Sequence, residues 1–380
     1  MNARPEATVR HVRFADLSVK DPELRRRLVA AVERVLDHGM LLLGPEVEEF
    51  ERRFASACAM PMCVGVSSGT SAVYLALKAA GIGPGDEVIT TPMSWISTLN
   101  ALRMTGATPA FVDIGDDLNI DADQVEAAIT RRTKAILPVH FTGRLCDMPA
   151  ILGIARRHGL LVVEDASQAF GAHMAGAPAG GFSDLGAFSL NPMKVLPGYG
   201  EAGAITMRSA DLKGKVEALR YAGTINKETC TDIELNHKID ALQAALLSVS
   251  LDHYRPAIAK RHALALRYWR RIGRLVGFPR VPDIHDGRSV YFNLTVTAPR
   301  RDQLLAVLHE QGIEASIKHP ILMPDQPAHR DLLSPTITKA RNLVKQIVTL
   351  PIHDKMAFDE VDYVCDCVAS HCHEDRQTVA

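Results

Sequence analysis

Short apolar runs alternate with helical stretches between Cys63 and Met207, and this alternation constrains the chain more than any other feature. Runs of this kind are typical of a mostly parallel sheet whose two faces are covered by helices. We therefore predict an α/β fold whose main sheet contains seven strands. The candidate strands are MCVGVS, DEVITT, TPAFVDI, KAILPVHF, LLVVEDA, LGAFSLN and GAITMR.

The pattern changes after about residue 208, which predicts a second, smaller domain. The run ALQAALLSVSLDHYRPAIAKRHALALRYWRRIGRLV predicts one or two long helices interrupted at Pro256, because proline has no amide hydrogen for a helix interior. Mixed strand and helix patterns follow. We predict a large domain over residues 1–250 and a small α+β domain over residues 251–380. Residues 1–25 should pack against other elements, the small domain among them.

Charge and cysteine content limit the partners and the compartment. The chain has 43 Lys and Arg residues and 44 Asp and Glu residues, so it has no excess of positive charge. Because nucleic acids and anionic membranes bind basic surfaces, we expect neither as the main partner. The first residues lack the apolar run of a signal peptide, and no stretch has the length of a membrane span. Seven scattered cysteines, an odd count, predict free thiols in the cytoplasm. We expect no metal site in the cluster Cys365, Cys367, His371, Cys372 and His373. Neighbours two residues apart diverge around a helix, and zinc sites usually draw two separated ligand pairs onto one ion.

Small hydroxyl residues and a glycine, Ser67-Ser68-Gly69-Thr70-Ser71, separate a predicted strand from an amphipathic helix. The unpaired amides and positive dipole end of a helix N-terminus attract anions, and small residues let a phosphate approach the backbone. Simple N-capping by Ser or Thr gives the same pattern. Both interpretations stay open from this segment alone.

Two adjacent acids, Glu164 and Asp165, end the apolar strand LLVV. Open parallel sheets bind ligands outside the carboxyl ends of their strands, and a carboxylate there can hold the protonated pyridine nitrogen of an electron-accepting cofactor. One acid should point inward and the other elsewhere. A ribose-binding acid or a helix cap is the alternative. Gln168, one helical turn further on, could reach the same ligand.

Lys194 follows another apolar strand, five residues after Ser189. An ammonium at the end of a buried strand loses solvation, which lowers its pKa and favours imine formation. Most lysines are solvated surface residues, so position alone does not decide this role. Ser189 could face the same pocket. The ring of Trp95 could stack on a flat cofactor or lie in the core.

The segment from Gly198 to Gly203 has the spacing G-x-G-x-x-G. A dinucleotide-binding fingerprint must follow a strand and open a helix, whereas these glycines precede the strand GAITMR. An NAD-dependent Rossmann enzyme is therefore poorly supported. A turn that passes beside Lys194 fits the segment better.

Together these motifs resemble the DegT/StrS group of sugar aminotransferases, which are fold-type I enzymes that use pyridoxal phosphate. The resemblance implies a large domain with a mostly parallel seven-stranded sheet and a smaller α+β C-terminal domain. The similar segments are GPEVEEFERRFA, VSSGTSAVYLAL, GDEVITTPMSWISTLNAL, GATPAFVDI, TKAILPVHFTG, VEDASQAFGA and FSLNPMKVLPGYGEAGAI, followed more weakly by NHKIDALQAAL, QGIEAS and LPIHDKM.

Carried over position by position, the resemblance implies catalytic roles for Lys194, as the Schiff-base lysine, and for Asp165, as the partner of the pyridine nitrogen. Gln168 would contact the ring hydroxyl, and Trp95 would stack on the ring. Asn236 resembles the asparagine that reaches the phosphate of the neighbouring subunit, which implies a homodimer with shared active sites. The phosphate cup would consist of Ser68, Gly69, Thr70 and Ser189.

The chain departs from the family where the acceptor should bind. Family members commonly have N-x-R, whereas Asn236 is followed here by His237 and Lys238, and lysine lacks the bidentate fork of arginine. The later H-Y-x-P-type segment appears as Lys318-His319-Pro320. His237, Lys238, Lys318 and His319 are therefore the candidate substrate contacts.

The resemblance implies a transaminase that moves an amino group from glutamate or glutamine to a ketone. The expected acceptor is a nucleotide-linked ketosugar in amino-sugar or antibiotic biosynthesis, with a keto-cyclitol as the alternative. Lys194 argues against the dehydratase branch of the family, in which histidine replaces the lysine. It also argues against a non-catalytic regulator, because a binding role does not require an imine-forming lysine.

Overall fold

The computed structural model describes residues 10–282, 285, 287–298, 300–332 and 336–378, with side chains described as far as residue 372. The helices are α1 (Pro22–His38), α2 (Pro45–Ala57), α3 (Gly69–Ala79), α4 (Ile96–Met104), α5 (Ala122–Val125), α6 (Met148–His158), α7 (Ala210–Arg220), α8 (Ala241–Ser250), α9 (Tyr254–Ile272), α10 (Arg301–Glu310), α11 (Thr338–Leu343) and α12 (Phe358–Thr378). The strands are β1 (Met62–Val66), β2 (Glu87–Thr90), β3 (Thr108–Phe111), β4 (Thr133–Leu137), β5 (Leu161–Asp165), β6 (His173–Met174), β7 (Ala177–Pro178), β8 (Leu185–Ser189), β9 (Gly203–Met207), β10 (Thr224–Ile225), β11 (Thr229–Cys230), β12 (Leu294–Thr297) and β13 (Ile347–Leu350). Short 3₁₀ turns lie at Glu126–Ala128, Phe141–Gly143, Met323–Asp325 and Pro327–His329.

The main sheet has seven strands in the order β1-β9-β8-β5-β4-β2-β3. The pairs among β2, β3, β4, β5 and β8 are parallel, and β9 is antiparallel to both of its neighbours. Each strand of this sheet coincides with a run predicted from the sequence, and the predicted α/β fold is confirmed.

Helices cover both faces of this sheet. Leu75 of α3 packs in one apolar cluster with Ile205 of β9. Phe54 of α2 packs in another with Phe188 of β8, whose ring centroid lies 5.0 Å away. Strand β9 is buried along its whole length, which explains why it appears in the sequence as a mostly apolar run.

Helix α3 begins directly after β1 and is buried on almost every side. The Oγ atom of Ser68 accepts a hydrogen bond of 3.1 Å from the amide of Ser71, which caps the helix. Packing on all sides leaves the helix little freedom to shift. Its N-terminus is therefore held at a defined position beside the ends of the neighbouring strands.

The predicted interruption at Pro256 lies in the wrong place. The chain turns between Ser250, where α8 ends, and Tyr254, where α9 begins. Pro256 lies in the first turn of α9, where proline is tolerated because first-turn amides have no acceptor within the helix. The two helices exist as predicted, and the proline belongs to the second of them.

The C-terminal elements share a separate apolar core. Strands β12 and β13 pair antiparallel, and α9, α10 and α12 pack around them. Val12 is fully buried in this core. Its amide donates to the carbonyl of Gly312 at 2.9 Å, and its carbonyl accepts from the amide of Glu314 at 2.9 Å. These two bonds attach the segment before α1 to the C-terminal elements.

Between α10 and β13 the chain crosses back over the main sheet. We call residues 319–332 the crossing segment. Asp331 forms an ion pair of 2.7 Å with Arg103 of α4, and the amide of Met323 donates to the carbonyl of Pro92 at 3.0 Å. The crossing segment thereby lies against the loop that follows β2.

Across the described residues, no helix combines the length and apolar character that crossing a membrane requires. The same residues contain no group of three or more His, Cys, Asp or Glu side chains arranged to hold a metal ion. Cys365 of α12 is buried in the C-terminal core, and Cys367 is half-buried. Free thiols are also present at Cys58, Cys63, Cys146 and Cys230.

Candidate active site

The predicted site residues follow strands whose carboxyl ends lie at one edge of the sheet. Because β1 and β8 are both antiparallel to β9, they run in the same direction as each other and as the parallel strands β2 to β5. Open α/β sheets bind ligands at this edge. The residues gathered there are Ser68 after β1, Trp95 after β2, Asp165 at the end of β5 and Ser189 at the end of β8.

Hydroxyl groups cluster at the N-terminus of α3. Ser71 Oγ lies 3.0 Å from both Ser67 Oγ and Ser68 Oγ. Gly69 packs directly on Ser189, because a Cβ added at residue 69 would lie 2.4 Å from the Ser189 Cβ. The first amides of the helix have no helical acceptor, so together with the hydroxyls they suit an anion such as phosphate.

Asp165 is buried, and each of its carboxylate oxygens accepts one hydrogen bond. Thr98 Oγ1 donates to Oδ2 at 2.8 Å, and the amide of Ser167 donates to Oδ1 at 3.1 Å. Each oxygen keeps a further lone pair, so the carboxylate can accept another N–H group. Gln168 is also buried, and its Oε1 accepts from the amide of Thr142 at 2.9 Å.

Glu164 points away from Asp165, as expected for adjacent residues in a strand. His140 Nε2 lies 3.1 Å from Glu164 Oε2, and the hydroxyl of Ser183 donates to Oε1 at 2.8 Å. Burial raises the pKa of Glu164, but the hydrogen bonds from His140 and Ser183 outweigh burial and hold the pKa below its usual range. A buried carboxylate thus fixes the strand end that carries Asp165.

Lys194 is half-buried, and its Nζ lies 4.6 Å from the centroid of the Phe292 ring. Burial lowers the pKa of Lys194 to about 8, although the charges of Asp165 and Glu201 partly oppose this shift. About a tenth of the amine is therefore neutral at pH 7, far more than for an ordinary lysine, and the neutral amine is the nucleophilic form. Within the described residues the amine has no hydrogen bond or ion pair, so it is available to a ligand.

Trp95 has 58% of its surface exposed, so it is not the buried core tryptophan that the sequence left as an alternative. Its ring centroid lies 5.8 Å from that of His319, and the Phe141 centroid lies 5.5 Å from the same imidazole. Burial, followed by the charges of Lys318 and Lys194, lowers the pKa of His319 to about 4. The imidazole is therefore neutral at neutral pH.

The segment Asn236-His237-Lys238 runs beside the end of β1. The side chain of His237 is buried, and its Nδ1 lies 2.9 Å from the Ser71 Oγ at the base of the hydroxyl cluster. Lys238 Nζ lies 4.0 Å from the centroid of the Tyr221 ring. Asn236 is exposed. The structure therefore joins His237 to the hydroxyl cluster and does not join it to Lys318 and His319.

Three residues at this edge were absent from the sequence-based set. Thr98 contacts Asp165, His140 contacts Glu164, and Phe292 contacts Lys194. Thr98 could have been predicted from the hydroxyl-rich run TTPMSWIST, which begins at the end of β2. No sequence pattern predicts the contact of Phe292, because it comes from the C-terminal part of the chain.

The sequence is similar to that of a known protein family. Residues 22–369 match the model of the DegT/DnrJ/EryC1/StrS aminotransferase family. The match therefore includes both the main sheet and the C-terminal core.

Individual relatives match along nearly the whole chain. A pleiotropic regulatory protein of Geobacillus stearothermophilus is 36% identical over 94% of this chain and 98% of its own. The dTDP-3-amino-3,4,6-trideoxy-alpha-D-glucose transaminase of Streptomyces venezuelae is 38% identical over 97% of each chain. The crystal structure of S. venezuelae DesV in complex with a ketimine intermediate has a TM-score of 0.91 at 37% identity, covering 95% of this chain and 98% of that one.

Proposed function

This chain belongs to the DegT/DnrJ/EryC1/StrS aminotransferase family, and from that membership we propose that it aminates the ketone of a nucleotide-linked sugar with glutamate or glutamine as donor. The chain is a transaminase, and its cofactor is pyridoxal phosphate. One observation carries the proposal: a half-buried amine, Lys194, lies within electrostatic range of the buried carboxylate of Asp165 at the ligand-binding edge of the sheet.

The residues at this edge fit pyridoxal phosphate. That cofactor has a phosphate, a pyridine nitrogen and an aldehyde, and each has a counterpart here. The hydroxyls and free amides at the start of α3 suit the phosphate. Asp165 has lone pairs left for an N–H group, and Lys194 offers an unpartnered amine. When bound, the cofactor would supply an aldehyde carbon for the amine and a ring that accepts electrons.

We assign the contacts with the cofactor accordingly. Asp165 would hold the pyridine nitrogen protonated, and Gln168 would contact the ring hydroxyl. Trp95, which is exposed toward solvent, has a free face for the ring. The phosphate would be held by Ser68, Gly69, Thr70 and Ser189.

Lys194 is the proton-transfer group in this proposal. When it is not bonded to the cofactor, the Nζ atom would accept the α-proton of the donor and later return a proton. A pKa near 8 suits both directions, because the amine can accept and release protons near neutral pH.

The acceptor assignment rests on the relatives. The S. venezuelae transaminase is named for a dTDP-linked amino sugar, and it is 38% identical to this chain. We therefore favour a nucleotide-linked ketosugar over a keto-cyclitol. Amino-sugar or antibiotic biosynthesis is the corresponding setting.

We further propose that two copies of the chain associate and share active sites. Large apolar side chains are exposed beside Asn236, most of all Ile233 at 98% and Leu235 at 63%. Leu42, which lies beside Asp240 in an antiparallel bridge, is 55% exposed. A second copy would cover these side chains, and Asn236 would then reach the phosphate held by that copy.

We place the enzyme in the cytoplasm. Its cysteines include the free thiols of Cys58, Cys63 and Cys146, and disulfides are rare where the environment is reducing.

The proposal is tested with the purified protein. It should absorb visible light after addition of pyridoxal phosphate, and borohydride should fix the cofactor to Lys194, as mass analysis of peptides would show. Lys194→Ala should abolish this attachment, and Lys215→Ala, a change to an exposed lysine of α7, should preserve it. Failure of the wild-type protein to attach the cofactor would contradict the proposal.

The acceptor is tested in the second half-reaction. The protein loaded with the amine form of the cofactor is mixed separately with nucleotide-linked ketosugars and keto-cyclitols, and loss of the amine form is followed by absorbance. Turnover with ketosugars is expected. Turnover with keto-cyclitols alone would contradict the acceptor assignment.

A further inference from the structure

A second amine without an anionic partner belongs to Lys318, the residue that precedes His319 in the chain. Lys318 is half-buried, and its Nζ lies 4.3 Å from the centroid of the Phe14 ring. Within the described residues Lys318 has no hydrogen bond or ion pair, and burial alone lowers the pKa of its ammonium. The next residue, His319, packs against Trp95. A cation that is partly removed from water and has no counter-charge is costly unless a ligand supplies one.

The charge of Lys318 reaches the reacting amine. It lowers the pKa of both Lys194 and His319, so its ammonium lies within electrostatic range of both. His319 is neutral at neutral pH because its pKa is about 4. Lys318 therefore supplies a positive charge to the side of the site that the crossing segment forms.

Neighbouring cations are already engaged. Arg103 donates to both carboxylate oxygens of Asp331, at 2.8 and 2.7 Å. Lys238, like Lys318, lies over an aromatic ring, that of Tyr221, but it lies beside the end of β1 rather than beside His319. Arg261 donates to backbone carbonyls and is buried. Arg103 and Arg261 therefore have oxygen acceptors within the protein, whereas Lys318 contacts the Phe14 ring and has no oxygen acceptor among the described residues.

We propose that Lys318 binds the α-carboxylate of the amino donor. The inference rests on the proposed transaminase function and deepens it by naming the group that recognises the donor. The α-carboxylate is bonded to the same carbon as the transferred amino group, so it must come close to Lys194 when that carbon is deprotonated. A lysine ammonium provides a charge-assisted hydrogen bond to a carboxylate without requiring the planar geometry of an arginine pair.

Other anions have less reason to lie here. The cofactor phosphate has its own hydroxyls and amides at the start of α3. The diphosphate of a nucleotide sugar is separated by several bonds from the carbon that is aminated. A carboxylate can also come from a uronic acid acceptor, and the experiment separates that source from the donor.

The first test is the donor half-reaction, followed by absorbance as the amine form of the cofactor accumulates from L-glutamate. Lys318→Met should raise the glutamate concentration for half-maximal rate about tenfold to a hundredfold, the range expected when a hydrogen bond to a charged group is lost. Lys318→Arg should stay within a few-fold of wild type because it keeps the charge. Lys215→Met removes an exposed lysine on α7 and should have no effect.

The second test needs no turnover. The holoenzyme is titrated calorimetrically with maleate, a dicarboxylate that lacks an amino group. Lys318→Met should weaken maleate binding by a similar factor, while Lys318→Arg should bind it nearly as well as wild type. Lys318→Gln, a second neutral replacement, should show the same loss of affinity as Lys318→Met. Circular dichroism of every variant checks that it is folded, since only a correctly folded variant with lost carboxylate affinity supports the proposal.

The outcomes separate the possible sources. Unchanged affinity of Lys318→Met for glutamate and maleate would overturn the proposal. If Lys318→Met reacts more slowly only with uronic acid acceptors, Lys318 binds the acceptor carboxylate. If it reacts more slowly with every nucleotide sugar, Lys318 binds the diphosphate. Either result would overturn the donor assignment. If the wild type transaminates no amino acid but Lys318→Met loses maleate binding, the carboxylate site stands and the transaminase proposal fails.

Discussion

Thr98 Oγ1 donates a hydrogen bond of 2.8 Å to Oδ2 of Asp165, and both side chains are buried. Ser94 Oγ lies 3.0 Å from the Thr98 hydroxyl, so two hydroxyls connect the carboxylate to the loop that precedes α4. A buried carboxylate that lost such a donor would keep its desolvation cost without the compensating bond. The hydroxyl of Thr98 thus positions Asp165 before any ligand arrives.

Replacing Thr98 by valine should therefore destabilise the cofactor-free protein by about 1.5–3 kcal/mol, the usual range for a hydrogen bond to a charged group. Thr98→Ser keeps the donor and should lose only about 0.8 kcal/mol for its missing methyl group. Denaturant unfolding of the three proteins checks this prediction. Equal stabilities of the valine and serine variants would contradict it.

Attachment of pyridoxal phosphate to Lys194 should depend on pH in a specific way. Burial lowers the pKa of the lysine to about 8, and only the neutral amine attacks. The rate of borohydride-trapped attachment should rise with pH and level off above about pH 8. Asp165→Asn should move the midpoint to lower pH, because the negative charge of Asp165 raises the pKa of Lys194. A midpoint near the ordinary lysine pKa of 10.5 would show that the amine is not desolvated.

Gly69→Ala should impair the cofactor site. The added Cβ would lie 2.4 Å from the Ser189 Cβ, so either β8 or the start of α3 must move, at a cost of about 1–3 kcal/mol. Gly214→Ala in α7 is the matched control, because a Cβ there meets nothing within 4 Å and alanine favours helix. Fluorescence titration with pyridoxal phosphate should show weaker binding for the first variant only.

Glu164→Gln should lower the free energy of unfolding by roughly 1.5–3 kcal/mol at neutral pH. The amide of glutamine cannot accept every hydrogen bond that the Ser183 hydroxyl and the amides of Gly180 and Phe182 donate to the buried carboxylate. The folded-state pKa of Glu164 lies below its ordinary value of 4.5, so this stabilisation is present above pH 4.5 and is lost as the pH falls through the folded-state pKa. The difference between wild type and variant should therefore shrink below about pH 4.5. Glu310→Gln, at an exposed position of α10, should change little at any pH. Unfolding curves at several pH values provide the measurement, and a difference that persists undiminished at acid pH would refute the role of the ionised carboxylate.

Ile233→Asp should favour the monomer. The side chain is 98% exposed in the single chain, and a charge there would be buried unpaired if a second copy covered it. Light scattering after size-exclusion chromatography compares the variant with wild type. A wild-type protein that is monomeric at all concentrations would count against shared active sites.

Local patterns in the sequence were enough to predict the main sheet. Most of its strands are buried along most of their length and therefore appear as largely apolar runs between turn residues. Lys194 and Asp165 could be singled out because each follows such a run. The assignment of their roles stays a prediction that the experiments above address.

Contacts between distant segments could not be predicted in this way. Thr98 and Asp165 are 67 residues apart in the sequence, and no local pattern predicts that their side chains form a hydrogen bond with each other. Phe292 reaches Lys194 only because the C-terminal core packs beside the sheet. Pro256 illustrates a different error. Proline usually interrupts a helix, which led to the predicted break at this residue, but the first turn of α9 accommodates it.

The pairing of β1 with β9 has a consequence for synthesis of the chain. Met62 is aligned with Met207, and β1 has no other partner in the sheet, so the edge strand cannot join until residue 207 has left the ribosome. Pairing across so long a stretch is slow, and an unpaired apolar strand is a site for misassociation. Nascent chains arrested before β9 should therefore be bound by chaperones and cleaved readily by proteases, whereas chains released beyond it should close the sheet and become resistant.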